Sequence, residues 1–114
     1  MADLGEVENA IEVLEAAGTP RDKLILLHCT TEYPAPFGEV NLRAMQTLQT
    51  AFGLRVGYSD HTEGIDVSVA SVAMGACLIE KHFTLDRNMP GPDHMAAHAP
   101  DELAALLTGI PRVE

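Results

Sequence analysis

Two histidines each follow an apolar segment of the kind that forms buried strands. His61 lies in "GYSDHTEG" (57–64), and His82 lies in "IEKHFT" (79–84). Imidazole nitrogen is a ligand for Mn, Fe, Co and Zn, and two protein ligands leave positions open for water and substrate. The alternative is that each histidine caps its strand and hydrogen-bonds a backbone carbonyl. The spacing alone leaves both interpretations open.

Polar side chains accompany the histidines at the same strand ends. Glu80 and His82 are two residues apart on a strand, so they point to one face, and Ser59 and His61 share a face by the same rule. A carboxylate that points inward is uncommon unless it binds something. The pattern therefore indicates a cluster of a hydroxyl, a carboxylate and two imidazoles.

The neighbouring charged residues have simpler interpretations. Lys81 is expected to point outward and to reach solvent along its aliphatic stem. Asp60 should point away from the histidines and orient a neighbour. Asp93 and His94 stand in the tight loop "PGPDH", where their types are those of ordinary turn residues.

The elements that position these residues alternate in the order α-β-α-β-α-β-α. Helix 3–18 has a capping-box pair in Asp3 and Glu6 and ends at Gly18. Pro100 suits the first turn of the last helix. The other expected elements are helices over 41–53 and 65–76 and strands over 23–29, 54–59 and 77–84. In the last helix one apolar face is predicted, formed by Leu103, Leu106, Leu107 and Ile110.

Alternating strands and helices with short connections predict an α/β fold with a parallel sheet. In such folds functional groups gather at the carboxyl ends of the strands, where the polar clusters of this chain lie. A (β/α)8 TIM barrel needs about 250 residues, so 114 residues supply less than half of one. The predicted fold is a single partial TIM barrel that contains about the last three βα units.

Composition narrows the function classes. The formal net charge of −10 argues against a nucleic-acid surface and, more weakly, against an anionic substrate. The sequence shows no signal peptide and no 18-residue apolar stretch, so a cytoplasmic protein without a membrane partner is expected. Cys29 and Cys77 lie in apolar segments and are predicted to be buried free thiols rather than a disulfide or a metal pair.

Four motifs together resemble those of the sialic acid synthase family, the NeuB-type enzymes that include N-acetylneuraminate, legionaminate and pseudaminate synthases. The motifs are "LLHCTTEYPAP", "VGYSDHTEG", "IEKHFTLDRNMPGPDH" and "PDEL", in the family's order and with similar spacing. The resemblance covers nearly the whole chain. The "TTEYP" stretch is most similar to the bacterial legionaminate branch.

The resemblance implies a reaction. The family condenses phosphoenolpyruvate with an open-chain N-acylmannosamine-type sugar to give a nine-carbon 2-keto acid sugar and phosphate, and a divalent metal holds the sugar aldehyde. That metal is commonly Mn²⁺, with Mg²⁺ or Co²⁺ as alternatives. The resemblance further implies a TIM-barrel catalytic domain, a small antifreeze-like domain after it, and a domain-swapped homodimer. Of these parts, the first half of the barrel and the antifreeze-like domain are absent from the 114 residues.

The resemblance also implies roles for individual residues. His61 and His82 match the two metal-ligand histidines, and Ser59 matches a residue that contacts the phosphate of phosphoenolpyruvate. Residues that contact the sugar match Tyr33, Glu80 and Asp93. Glu80 or Asp93 could manage a proton near the metal, and the sequence leaves open which of them does so.

Two departures from the family pattern are visible. The family carries "KAS" after "GPDH", whereas this chain has Met95, Ala96, Ala97 and His98. The lysines that hold phosphoenolpyruvate come mostly from the missing half of the barrel, so the isolated chain is expected to be inactive. The alternative is a non-catalytic half-barrel module that self-assembles or docks on a partner chain through its sheet edges. A lesser alternative is a related metal-dependent keto-acid-phosphate synthase.

Overall fold

The structure is a computed structural model that describes all residues from 1 to 114. Four α-helices and three β-strands alternate along the chain as the sequence predicts. In chain order they are α1 (Leu4–Ala16), β1 (Ile25–Cys29), α2 (Arg43–Phe52), β2 (Arg55–Asp60), α3 (Asp66–Ala73), β3 (Ile79–Lys81) and α4 (Pro100–Gly109). None of the helices is both long and apolar enough to cross a membrane.

The three strands form one parallel sheet in the order β1-β2-β3. β2 is central and pairs with both neighbours, with Cys29 opposite Ser59 and Ser59 opposite Glu80. Because all three strands run the same way, their carboxyl ends meet at one edge of the sheet. The α/β class and the parallel sheet are therefore confirmed. The third strand is shorter than predicted, since only residues 79–81 of the expected 77–84 make the ladder.

The core lies between one face of the sheet and helices α2 and α3. Val56 and Tyr58 of β2 pack there with Met45 of α2, and all three side chains are buried. These positions alternate with Gly57 and Ser59, which face the other side of the sheet, as period-2 geometry requires. The helices thus cover one face of the sheet and leave the other face to the polar residues.

Several local predictions are confirmed and others are corrected. The Asp3–Glu6 capping box forms at the start of α1, and Pro100 opens α4. In α4 Leu106 is buried, but Leu107 is exposed, so the predicted four-residue apolar face is only partly covered. Both cysteines are free, as predicted, yet Cys29 is half-buried and Cys77 is exposed. The burial prediction was wrong because Cys77 precedes β3 on the rim of the sheet rather than lying within a strand.

Candidate functional site

Polar side chains line the uncovered face of the sheet at its carboxyl edge. Ser59 of β2 and Glu80 of β3 are register partners, and the Ser59 hydroxyl donates to Glu80 Oε1 at 2.6 Å. A hydroxyl carries a single proton, so Ser59 gives its one donor to the carboxylate. If Ser59 is to bind a phosphate oxygen, its proton must turn away from Glu80 or Glu80 must be protonated.

Two residues beyond Ser59 and Glu80, just past the ends of β2 and β3, the two histidines meet. The centroids of the His61 and His82 rings lie 5.2 Å apart, and the ring planes stand at 83° to each other. His61 Nδ1 lies 2.8 Å from the backbone oxygen of Thr30. A carbonyl oxygen only accepts, so Nδ1 is the donor, and in the neutral imidazole Nε2 is then the nitrogen with the lone pair. That arrangement is the usual one for a metal-ligating histidine.

Tyr33 covers the histidine pair from the loop after β1. Its ring centroid lies 4.4 Å from that of His82 and 5.4 Å from that of His61. The Tyr33 hydroxyl donates to the backbone oxygen of Asp93 at 3.4 Å. Burial, and then the negative charge of Asp93, raise the pKa of the Tyr33 phenol, against a lowering by Arg87. The phenol is therefore protonated and can act as a donor at neutral pH.

The loop that carries Asp93 is tied to the end of β3. His94 Nδ1 lies 2.8 Å from the Thr84 hydroxyl, and Arg87 donates to the backbone oxygen of Ala97. A cavity of about 330 Å³ lies between His82 and this loop, with Asp93 and His94 in its wall. Two larger grooves, of about 670 and 730 Å³, involve α2 and do not touch His61 or His82. The smaller cavity is the one that adjoins the candidate site.

The side-chain donors suit an open metal site, in which water and substrate complete the coordination, rather than a site that protein ligands fill. No group of three or more His, Cys, Asp or Glu side chains is placed to hold a metal ion. The chain offers two imidazoles. Cys29 Sγ lies 3.8 Å from His61 Nδ1, the nitrogen that already donates to the Thr30 carbonyl. Two nitrogen ligands with open positions fit a catalytic divalent ion whose other ligands are water and substrate.

On the opposite face of the same strand ends lies a buried ion pair. Lys81 Nζ is 2.9 Å from Asp60 Oδ2, and the two side chains are only 7% and 0% exposed. The expectation that Lys81 reaches solvent is therefore wrong. The prediction that Asp60 orients a neighbour agrees with the structure, because its carboxylate also accepts from Thr62 and Ser68. A lysine on an outward face is buried here because an acid stands at the paired register position.

Of residues 95–98, which follow "GPDH", the last has a structural role. His98 is 1% exposed, and its Nε2 donates to the backbone oxygen of Gly64 at 2.9 Å. Ala97 is also buried, whereas Met95 is 82% exposed. His98 thus places an imidazole against the loop that follows His61, and its backbone nitrogen donates to the His82 oxygen at 2.9 Å.

All the predicted site residues lie close to one another. Around the carboxyl ends of β2 and β3 stand Tyr33, Ser59, His61, Glu80, His82 and Asp93. Their chemical roles stay predictions. Asp60 and Lys81 were missed as a pair. A signal was present, because "DH" and "KH" place opposite charges directly before the two histidines.

A three-stranded parallel sheet places the chain in the α/β class, and its histidine pair, hydroxyl and carboxylate lie at the carboxyl edge, where such folds carry functional groups. The sequence profile of the NeuB family matches residues 1–114, and the chain belongs to that family. The N,N'-diacetyllegionaminic acid synthase of Campylobacter jejuni subsp. jejuni serotype O:2 is 62% identical over 114 residues, which is 100% of this chain and 34% of that protein.

Solved structures agree with the sequence relationship. The spore coat polysaccharide biosynthesis protein SpsE of Bacillus subtilis superposes with a TM-score of 0.91 at 39% identity, over 98% of this chain and 31% of that one. The N-acetylneuraminic acid synthetase of Leptospira borgpetersenii, solved with citrate, superposes with a TM-score of 0.89 at 40% identity, over 99% and 39%. The chain therefore spans about a third of the length of the relatives it matches.

Proposed function

We propose that this chain carries the metal-binding part of a nonulosonic acid synthase site. The observation that supports this most is the approach of the His61 and His82 rings to 5.2 Å at the carboxyl ends of neighbouring parallel strands. These two imidazoles would hold a divalent ion, Mn²⁺ before Mg²⁺ or Co²⁺. When bound, that ion polarises an aldehyde oxygen and makes the carbonyl carbon open to attack.

The proposed reaction joins phosphoenolpyruvate to an N-acylmannosamine-type sugar, which makes the enzyme a C–C bond-forming transferase. C3 of phosphoenolpyruvate attacks the aldehyde carbon, water adds at C2, and phosphate leaves with cleavage of its C–O bond. The product is a nine-carbon 2-keto acid sugar. Membership of the NeuB family and the names of its relatives, which are legionaminic, pseudaminic and sialic acid synthases, support this proposal.

The side chains around the histidines have proposed roles in the same reaction. Tyr33, with a protonated phenol beside His82, would donate to the sugar, and Glu80 and Asp93 would bind its hydroxyls. Ser59 would contact the phosphate after its proton turns from Glu80, to which it donates at 2.6 Å. One of the two carboxylates would manage the proton that the reaction moves near the aldehyde oxygen.

The proposed setting is a (β/α)8 barrel that this chain helps to build, in a cytoplasmic homodimer. The other units of the barrel would supply most of the cationic groups for phosphoenolpyruvate, because in this chain seven Lys and Arg stand against 17 Asp and Glu. The barrel would also cover the polar face of the sheet and pair its outer strands. β1 and β3 each bond to one neighbour only.

Activity is tested in a chimera, because the relatives are about three times as long as this chain. Residues 1–114 replace the matching third of the Campylobacter jejuni relative, and the chimera is assayed for phosphate and 2-keto sugar. We expect product from the chimera and none above background from its His82→Ala variant. An inactive but folded chimera, or an equally active His82→Ala variant, would contradict the proposed function.

The unpaired edges of β1 and β3 favour a second candidate, a module that assembles through its sheet. Light scattering coupled to size-exclusion chromatography, together with a Mn²⁺ titration of the same sample, distinguishes the two candidates. A stable oligomer without metal binding would support the module, whereas metal binding lost in the histidine variants would support the synthase.

A further inference from the structure

Each candidate metal ligand directly follows one member of the buried ion pair. Asp60 precedes His61 and Lys81 precedes His82 along the chain, and Asp60 and Lys81 are opposite each other in the β2–β3 register. Their side chains meet at 2.9 Å on the helix-covered face. The histidine rings meet on the other face, because successive side chains of a strand alternate.

The ammonium group of Lys81 is fully engaged around the His61 loop. Besides Asp60, it donates to the backbone oxygens of Thr62 at 2.6 Å and of Gly64 at 3.0 Å. Three donors are all that an ammonium has. Asp60 in turn accepts from the backbone nitrogen of Thr62 at 2.9 Å and from the Ser68 hydroxyl at 2.5 Å. The backbone directly after His61, at Thr62 and Gly64, is therefore held from the helix-covered face of the sheet.

The histidine side chains themselves have few restraints. The His61 ring has a hydrogen bond to the Thr30 carbonyl, while the His82 ring contacts Tyr33 and His61. β3 is only three residues long and hydrogen-bonds to β2 alone. His82 leaves the sheet between two anchors. Its backbone oxygen accepts from His98 N at 2.9 Å, and the residue before it, the last of β3, is Lys81.

We infer that Asp60 and Lys81 are positioning residues that set the separation of the His61 and His82 imidazoles through the shared backbone of β2 and β3. The inference rests on the proposed function, in which the two imidazoles bind a divalent ion. Groups that orient a metal's ligands affect its affinity without touching the metal.

The test replaces both charges together in Asp60→Asn/Lys81→Met, because a single replacement would leave an unpaired buried charge. Lys23→Met, at the only other lysine of the chain, is the matched control for loss of an exposed ammonium. Mn²⁺ affinity is measured by calorimetry on the whole 114-residue chain, at a temperature where circular dichroism shows each variant folded. We expect affinity about 10-fold to 100-fold weaker in the double variant and unchanged in Lys23→Met.

A second measurement needs no metal. Nuclear Overhauser contacts between the ring protons of His61 and His82 should be present in the unaltered chain and lost in the double variant. Affinity within twofold of the unaltered chain, or ring contacts that persist, would overturn the inference. If the unaltered chain binds no Mn²⁺, the proposed metal site fails and the ring contacts alone decide whether the pair positions the imidazoles.

A variant that does not fold would not end the test. Lys81→Arg keeps the positive charge, but its planar guanidinium cannot place donors on the same three oxygens as an ammonium. We expect this variant to fold and to show weakened ring contacts with reduced Mn²⁺ affinity. A Lys81→Arg protein that matches the unaltered chain in both measurements would overturn the inference.

Discussion

Asp60 and Lys81 are joined twice, as register partners on neighbouring parallel strands and as an ion pair of 2.9 Å. Both side chains are buried, so the pair exists only where the β2–β3 register is correct. A slip of β3 by one residue would turn Lys81 to the opposite face and leave Asp60 buried without its partner. The pair therefore links the folding of the sheet to the arrangement of the residues that follow it, His61 and His82.

Acid should weaken the fold through Asp60. Burial raises the pKa of its carboxyl, but hydrogen bonds from Ser68, Thr62 and Lys81 lower it by more, so the folded pKa lies below the ordinary value. Stability from the ionised carboxylate is thus present above the unfolded pKa, about 3.9, and is lost as pH falls through the folded pKa. Urea unfolding at pH 5 and pH 3 should show a larger loss in the unaltered chain than in Asp60→Asn/Lys81→Met. Equal losses would contradict this account.

A side chain at Gly57 should force β2 and β3 apart. A Cβ there would lie 2.5 Å from the backbone oxygen of Leu78 and 2.6 Å from Leu27 Cδ2. The backbone oxygen cannot move without disturbing the ladder, so Gly57→Ala should destabilise the fold by about 1 to 3 kcal/mol, the usual cost of overpacking. The matched control is Gly38→Ala, where no atom lies within 4 Å of the added Cβ. Similar midpoints of urea unfolding for the two variants would refute the prediction.

Tyr33 should support His82 through its ring rather than its hydroxyl. The ring centroids are 4.4 Å apart, whereas the hydroxyl reaches only a backbone oxygen at 3.4 Å. Aromatic contacts of this kind contribute about 0.5 to 1.5 kcal/mol, so Tyr33→Leu should weaken Mn²⁺ binding about 2-fold to 12-fold. Calorimetry should show that Tyr33→Phe keeps the affinity. Loss in Tyr33→Phe equal to that in Tyr33→Leu would assign the effect to the hydroxyl.

The isolated chain should make no sugar product from phosphoenolpyruvate. The polar face of its sheet is open, and the net charge of −10 leaves it without a cationic pocket for a trianionic substrate. Chromatography for 2-keto sugars should give the same trace for the unaltered chain and for His82→Ala. Product above the His82→Ala control would show that these 114 residues form a complete site.

Much of the fold follows from local patterns in the sequence. The Asp3–Glu6 capping box identifies α1, apolar segments identify β1 and β2, and Pro100 and the acids after it locate α4. The end of β3 was harder to predict, because residues 82–84 keep the composition of a strand but bond instead to the loop near His98. Composition indicates which residues can form a strand, but not which segment that strand will pair with.

The candidate site was predictable as a set of residues but not as a set of bonds. Period-2 alternation places Ser59 with His61 and Glu80 with His82, and the structure adds the 2.6 Å bond between Ser59 and Glu80. The burial of Lys81 could not be predicted from the sequence of its own strand, because it depends on the register with β2. Register arises from pairing between segments twenty residues apart, which no local pattern encodes.

The central claim is that His61 and His82 together bind a divalent metal ion. The most direct test is a calorimetric titration of the 114-residue chain with Mn²⁺, beside His61→Ala and His82→Ala. We predict saturable binding with one site per chain that is lost in both variants, since each imidazole supplies one of the two protein ligands. Binding of equal strength in either variant would contradict the claim, as would a chain with both rings in contact that binds no metal.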